Sequence, residues 1–157
     1  MRDHQKQLFI DQARFIYKKF PLAGRKVSGT EIQLIGEDIL RFLEGAEEII
    51  IMATTLGFEV DRQIEYAQKI SLSQALELDR AANRASNEVC NRLQDEIASK
   101  LPITKKRYSC GYGDFPLEVQ PSIIKALDAT KAIGLYCNEN NLMIPTKSVT
   151  AIMGVLR

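Results

Sequence analysis

The sequence predicts an α+β fold: an antiparallel, bent mixed sheet with one long helix and several shorter helices packed around it. Three observations lead there. Stretches with helical spacing and stretches with strand patterning follow one another without the regular alternation of a parallel βαβ chain. Residues 71–100 contain neither glycine nor proline and carry one continuous apolar stripe. Residues 48–54 hold three consecutive isoleucines, as a buried central strand does. At 157 residues the chain has the usual size of one domain and can bury a real core, so residues 1–157 are expected to form a single domain.

The elements follow in order. Phe9, Ala13, Ile16 and Phe20 recur at helical spacing, which predicts an amphipathic helix over residues 6–19 stopped by Pro21. A loop with Gly24 and Gly29 follows. Residues 31–35 alternate polar and apolar side chains and predict a half-buried strand. A short helix over residues 37–43 should end at Gly45, a good helix C-cap. After the isoleucine strand, Thr54-Thr55-Leu56-Gly57 reads either as a plain strand end with a turn or as a ligand-facing edge of hydroxyls and bare backbone. Val60, Ile64 and Ala67 start the next helix.

The stripe in residues 71–100 is Ala75, Leu78, Ala82, Ala85, Val89, Leu93 and Ile97. Such a helix is roughly 40 Å long, and its small residues should let the first half lie close to a sheet. Asn83, Asn87 and Asn91 form a row at four-residue spacing with Glu88 beside it. That row is either a solvated face or the lining of a site. Beyond Pro102 a loop leads to a helix begun by Pro116 and Glu118, carrying Val119, Ile123, Ile124 and Leu127. Residues 133–137 read as a strand, 138–141 as a polar turn, 143–148 as an irregular segment and 149–155 as a closing strand.

Bulk properties exclude several functions. The net charge of +1 gives no electrostatic basis for nucleic acid or an anionic membrane surface. The longest apolar run, residues 49–53, is too short to span a bilayer, and the amino terminus lacks the apolar core of a secretion signal. Cys90, Cys110 and Cys137 are odd in number and widely spaced, which suggests reduced thiols in a cytoplasmic protein. The single histidine, His4, sits in a charged terminus expected to fray, a poor place for catalysis or a metal. No G-x-S-x-G, P-loop or dinucleotide fingerprint is present.

One stretch concentrates the chemistry: Lys105-Lys106-Arg107-Tyr108-Ser109-Cys110-Gly111-Tyr112-Gly113-Asp114-Phe115-Pro116. Glycine lets backbone approach a ligand closely. Arginine presents a rigid fork of donors to a carboxylate or phosphate, and tyrosine offers a flat apolar face with a polar tip. This predicts a binding loop anchored by Arg107 for a ligand with a carboxylate and a flat face. Arg107 alone would read as a surface ion-pair partner. Cys110 lies near a fixed cation that could lower its pKa, but no base is at hand to support a nucleophilic role.

Arg107-x-x-x-Gly111-Tyr112 with Pro116, followed by Asn138-Glu139-Asn140-Asn141-Leu142-Met143-Ile144-Pro145 and Ser148-Val149, resembles the activation domain of cobalamin-dependent methionine synthase. The family pattern reads R-x-x-x-G-Y-x-x-x-P, then T-E-x-x-x-M-x-P-x-x-S-V. The match is close over about the last fifty residues, and Ala53-Thr54-Thr55-Leu56-Gly57-x-x-Val60-Asp61 is similar to free-standing members. The combined spacing is specific, whereas either half alone is weak.

The resemblance implies a protein that binds S-adenosylmethionine and meets a cobalamin-binding methyltransferase, or a methionine synthase lacking its own activation domain. Cob(II)alamin on that partner would accept one electron from a flavodoxin-like donor and then a methyl group, giving methylcobalamin. On this reading Arg107 pairs with the ligand carboxylate, Ser109 and Gly111 line the adenosyl pocket, and Tyr112 sits near the transferring methyl or the corrin. Met143 and Pro145 face the corrin. Cys110 replaces a family proline and Asn138 a family threonine. The domain is expected to be shortened at both ends, losing an acidic contact and a tyrosine, and Glu88 is the residue expected to stand in for the acid. The D-x-H-x-x-G loop of a cobalamin-binding domain is missing, so cobalamin would be carried by the partner. The alternative is a non-catalytic docking protein for a corrinoid protein that has lost S-adenosylmethionine binding.

Overall fold

The structure is a computed structural model that describes residues 2–156, with side chains from residue 4 to residue 156. Met1 and Arg157, at the two ends of the terminal readings above, lie outside the described residues. The chain opens with α1 (Arg2–Gln12) and then turns into β1 (Arg14–Ala23), where the apolar spacing predicts one helix across residues 6–19. Phe9 is fully buried on α1, but Ile16 and Phe20 belong to the strand. Residues 14–20 are rich in aromatic and β-branched side chains, which suit a pleated surface. Their backbone pairs from Arg14 opposite Thr55 to Pro21 opposite Glu48. Pro21 is tolerated because its carbonyl accepts from the Ser28 N–H on the far edge, so its missing N–H falls on the side away from that pairing. His4 lies exposed within α1.

After β2 (Lys26–Val27) the alternating residues 31–35 do alternate in burial, yet they form no strand. A single bridge between Lys26 and Gln33 is all the pairing they make. Then come α2 (Glu37–Phe42), β3 (Glu48–Thr55), α3 (Phe58–Ile70) and α4 (Leu72–Ala98). Ser71 caps α4, its hydroxyl accepting from the Gln74 N–H, which is the usual service of a serine at a helix start. A 3-10 turn at Leu117–Val119 leads into α5 (Gln120–Leu127) and α6 (Ala129–Ile133). Ile133 therefore ends a helix, and the strand expected over 133–137 shrinks to β4 (Tyr136–Cys137), which pairs with β5 (Met143–Ile144). β6 (Ser148–Gly154) closes the chain.

All strand pairings are antiparallel. The main sheet runs β2-β1-β3-β6 and is curled. The side chains of β3 divide two cores. Ile49, Ile51 and Ala53 face α5, α6 and the residues around α2, while Ile50 and Met52 face Cys90, Leu93 and Ile97 of α4. Each large apolar side chain removed from water here is worth about 1.5–3 kcal/mol. Farther along α4, Ala81, Ala82 and Ala85 meet Phe9 of α1 and Val60 of α3. The small side chains Ala82 and Ala85, expected to lie close to a sheet, instead pack against these helices. No helix among the described residues is long and apolar enough to cross a membrane.

Candidate functional site

The stretch from Lys105 to Pro116 is fixed at both ends. On one side it runs beside β6: the Tyr108 N–H donates to the Ile152 carbonyl at 2.9 Å, and the Tyr108 carbonyl accepts from the Ile152 N–H at 2.7 Å. The Ser109 hydroxyl donates to the Thr150 carbonyl at 2.6 Å. On the other side Asp114 caps α2. Its two carboxylate oxygens accept from the Glu37 and Asp38 N–H groups at 2.7 and 3.0 Å, because Gly36 at the N-cap has no side chain to do so. These donors hold the Asp114 carboxyl below its ordinary pKa. Two glycines make the clamp possible. A Cβ on Gly36 would meet Asp114 Oδ1 at 2.5 Å, and one on Gly113 would collide with Asp38 Oδ2 and the Tyr108 hydroxyl. Gly113 also has φ +54.

Between these fixings the loop faces α4 across a cleft of about 390 Å3. Arg107 reaches over to the helix. Its guanidinium donates to Asn91 Oδ1 at 2.9 Å, Gln94 Oε1 at 2.7 Å and Asn87 Oδ1 at 3.3 Å. The asparagine row at four-residue spacing thus holds the cation with neutral carbonyl oxygens. Among the described residues Arg107 forms no ion pair. From the segment before β6, Lys147 donates to Asn83 Oδ1 at 2.7 Å and pairs with Asp79 at 2.7 Å. Tyr112 stands at the rim, 67% exposed.

The floor is polar but satisfied. Ser148 Oγ lies 2.7 Å from both Thr55 Oγ1 and the Pro145 carbonyl. Thr55 Oγ1 in turn accepts the Gly57 N–H, and Thr54 Oγ1 lies 3.3 Å from Cys90 Sγ. The two threonines therefore tie the strand end together. Cys90 is buried at the cleft, and burial pushes its thiol up despite the Thr54 contact and the charge of Arg107. Cys110 points into the core, where burial pushes its thiol up to about 12. The neighbouring cation does not lower it. Burial thus disfavours the thiolate form of both sulfurs.

Arg107, Ser109 and Tyr112 line one cleft. Gly111 lies beside it, exposed, with φ +91, and its N–H donates to the Phe115 carbonyl. Glu88 is not brought there. About 100° around the helix from Asn87, it faces α1 and pairs with Lys6 at 3.4 Å and Arg92 at 3.2 Å. Met143 packs against the core below α5. Pro145 is buried behind a second cleft, of about 410 Å3, shared with Gly57, Phe58 and Gly134. The sequence reading missed Lys147 and Ser86 as lining residues. The signal for Lys147 was its place in a Pro-Thr-Lys-Ser run just before a closing strand; Ser86 offered none.

No protein-family model matches the chain, and no curated protein matches it. Among solved structures the chain is similar to the crystal structure of the MetH reactivation domain bound to AdoHcy, with a TM-score of 0.68 and 14% identity. The likeness covers 98% of this chain and 64% of that one, so the chain spans less than two thirds of its neighbour's length. At this identity the likeness shows the fold: nearly all of this chain folds as part of that reactivation domain does.

Proposed function

We propose that the Arg107 cleft binds S-adenosylmethionine and that the protein serves the reductive reactivation of cobalamin on a separate corrinoid methyltransferase. One observation carries the reading: Arg107 is held in place by three amide oxygens and pairs with no carboxylate among the described residues. A fixed guanidinium whose partners are all neutral suits an incoming carboxylate. The volume falls within the usual range of small-molecule sites, about 300–1,000 Å3. The fold likeness to a domain solved with AdoHcy supports the same ligand class.

Each residue then has a role. Arg107 takes the carboxylate of the methionine moiety and orients it. Ser109, whose hydroxyl is committed to Thr150, fixes the backbone that lines the adenosyl part. Tyr112 supplies a flat rim that can close over the ligand and exclude water. S-adenosylmethionine, when bound, supplies the methyl group that the partner's reduced cobalamin accepts, the electron coming from a flavodoxin-like donor. The protein's share is positioning.

Calorimetric titration with S-adenosylmethionine tests this, with Arg107→Ala alongside. Saturable binding that the substitution weakens by about a hundredfold or more is the expected result. Absence of binding in the parent protein, alone and with a corrinoid methyltransferase present, overturns it in favour of a docking protein.

A further inference from the structure

The two edges of the main sheet are finished differently. At one edge the stretch after α4 covers β6: Tyr108 bridges Ile152, and Ile103 bridges Val155. Toward the other edge stands β1, which β2 covers only at Leu22 and Ala23. Backbone direction alternates along an antiparallel strand. The Leu22 N–H donates inward to the Glu47 carbonyl, and the Pro21 carbonyl accepts from the Ser28 N–H on the outside. Continued along β1, this alternation turns the N–H and C=O groups of Phe15, Tyr17 and Lys19 outward. Among the described residues these groups have no hydrogen-bond partner, and no residue from Arg14 to Phe20 is buried. An uncovered ladder of this kind is a template for another extended chain.

The side chains define what that chain should carry. Residues 14–20 include Arg14, Lys18 and Lys19 and no carboxylate. Lys19 pairs with Glu48 at 3.4 Å, whereas Arg14 and Lys18, both exposed, form no ion pair among the described residues. By alternation they share the face of Ile16 and Phe20. On the opposite face the half-exposed Phe15 borders a groove of about 180 Å3 with Val89 and Leu93. An added strand places its side chains alternately on these two faces. Carboxylates suit the face of Arg14 and Lys18. Apolar side chains suit the groove, whose two charges, Arg92 and Glu96, are already paired with Glu88 and Lys100. A second copy of this chain is a poor occupant, because joining the two edges would line up the same cations from each.

We propose that the outer edge of β1 docks an extended segment of a partner protein in which acidic and apolar residues alternate. The contact adds a strand to the sheet on the side away from the Arg107 loop, so it stands independently of the S-adenosyl reading.

The test uses the whole chain and a blocked peptide that alternates valine and glutamate, beside a peptide of the same composition with its valines and glutamates grouped apart. The alternating peptide should bind saturably at low salt, with a dissociation constant below about 1 mM. It should also slow deuterium exchange at the amides of Phe15, Tyr17 and Lys19. Lys18→Glu, an exposed change outside the Arg107 cleft, should weaken binding about tenfold. No saturable binding overturns the proposal, and so does binding that leaves those three amides unprotected. Equal binding of the grouped peptide, or equal binding by Lys18→Glu, overturns it as well, since alternation and charge would then play no part. If the parent dimerises and protects the same amides in the dimer, the edge belongs to a second copy and the proposal fails. Each of these failures leaves the S-adenosyl titration to be judged on its own result.

Discussion

Two of the clefts that indent this protein, the Arg107 cleft and the one beside Pro145, have nearly equal volumes of about 390 and about 410 Å3, and they are built differently. In the first, each cation is held by side chains of α4: Arg107 by Asn87, Asn91 and Gln94, Lys147 by Asn83 and Asp79. In the second, Glu59 pairs outward with Arg62, and among the described residues no side-chain hydrogen bond fixes Gln12 or Arg14. Phe58 lines it half-exposed, its ring 6.3 Å from that of Tyr136. Volume does not separate the two. What separates them is whether charge is held in place before a ligand arrives, because ordering a flexible group costs binding energy that a fixed group does not.

That contrast can be broken in four ways, from the largest effect to the smallest. Gly113→Ala should cost about 2–3 kcal/mol in urea unfolding, from left-handed backbone and collision with Asp38 and Tyr108. A loss under about 0.5 kcal/mol would mean that the loop is not clamped as described. The double substitution Asn91→Ala with Gln94→Ala removes the two shorter bonds to Arg107 and leaves only the one to Asn87 at 3.3 Å. Affinity for an S-adenosyl ligand should fall about tenfold with little change in stability, and unchanged affinity would remove pre-organisation from the account.

Asp114→Asn should lower the urea midpoint modestly and flatten its acid dependence. The Glu37 and Asp38 N–H groups lower the folded-state pKa of Asp114. Its contribution is therefore complete above the ordinary carboxylate value and disappears as the pH falls through the lower folded value. Midpoints followed from about pH 5 down to pH 2 should show the parent losing more than the variant. Finally, Phe58→Ala in the second cleft should change S-adenosyl affinity by less than about twofold. A larger loss would move the site.

Much of the scaffold was legible because its signals are local. α4 carries its stripe without a break, and β3 announces itself by three isoleucines. The misreading of residues 14–20 is instructive. Phe9, Ala13, Ile16 and Phe20 satisfy helical spacing, and nothing nearby in the chain opposes it. The strand is decided by its partner β3, whose paired residues lie 29 to 41 positions along the chain. Arg107 and Tyr112 stood out by composition. Glu88 did not reach the cleft because α1 packs on that face of α4 and brings Lys6 with it, a long-range fact. Lys147 was missed for a similar reason: only the fold sets it opposite Arg107.

The cap that Asp114 places on α2 joins residues 76 and 77 positions apart. It makes the amides of Glu37 and Asp38 a remote gauge of the loop. Neither residue lines the Arg107 cleft, yet their hydrogens can exchange with solvent only when Asp114 lets go. A ligand that steadies the loop should therefore slow deuterium uptake at these two positions, so that occupancy of the cleft is read at a helix it never touches.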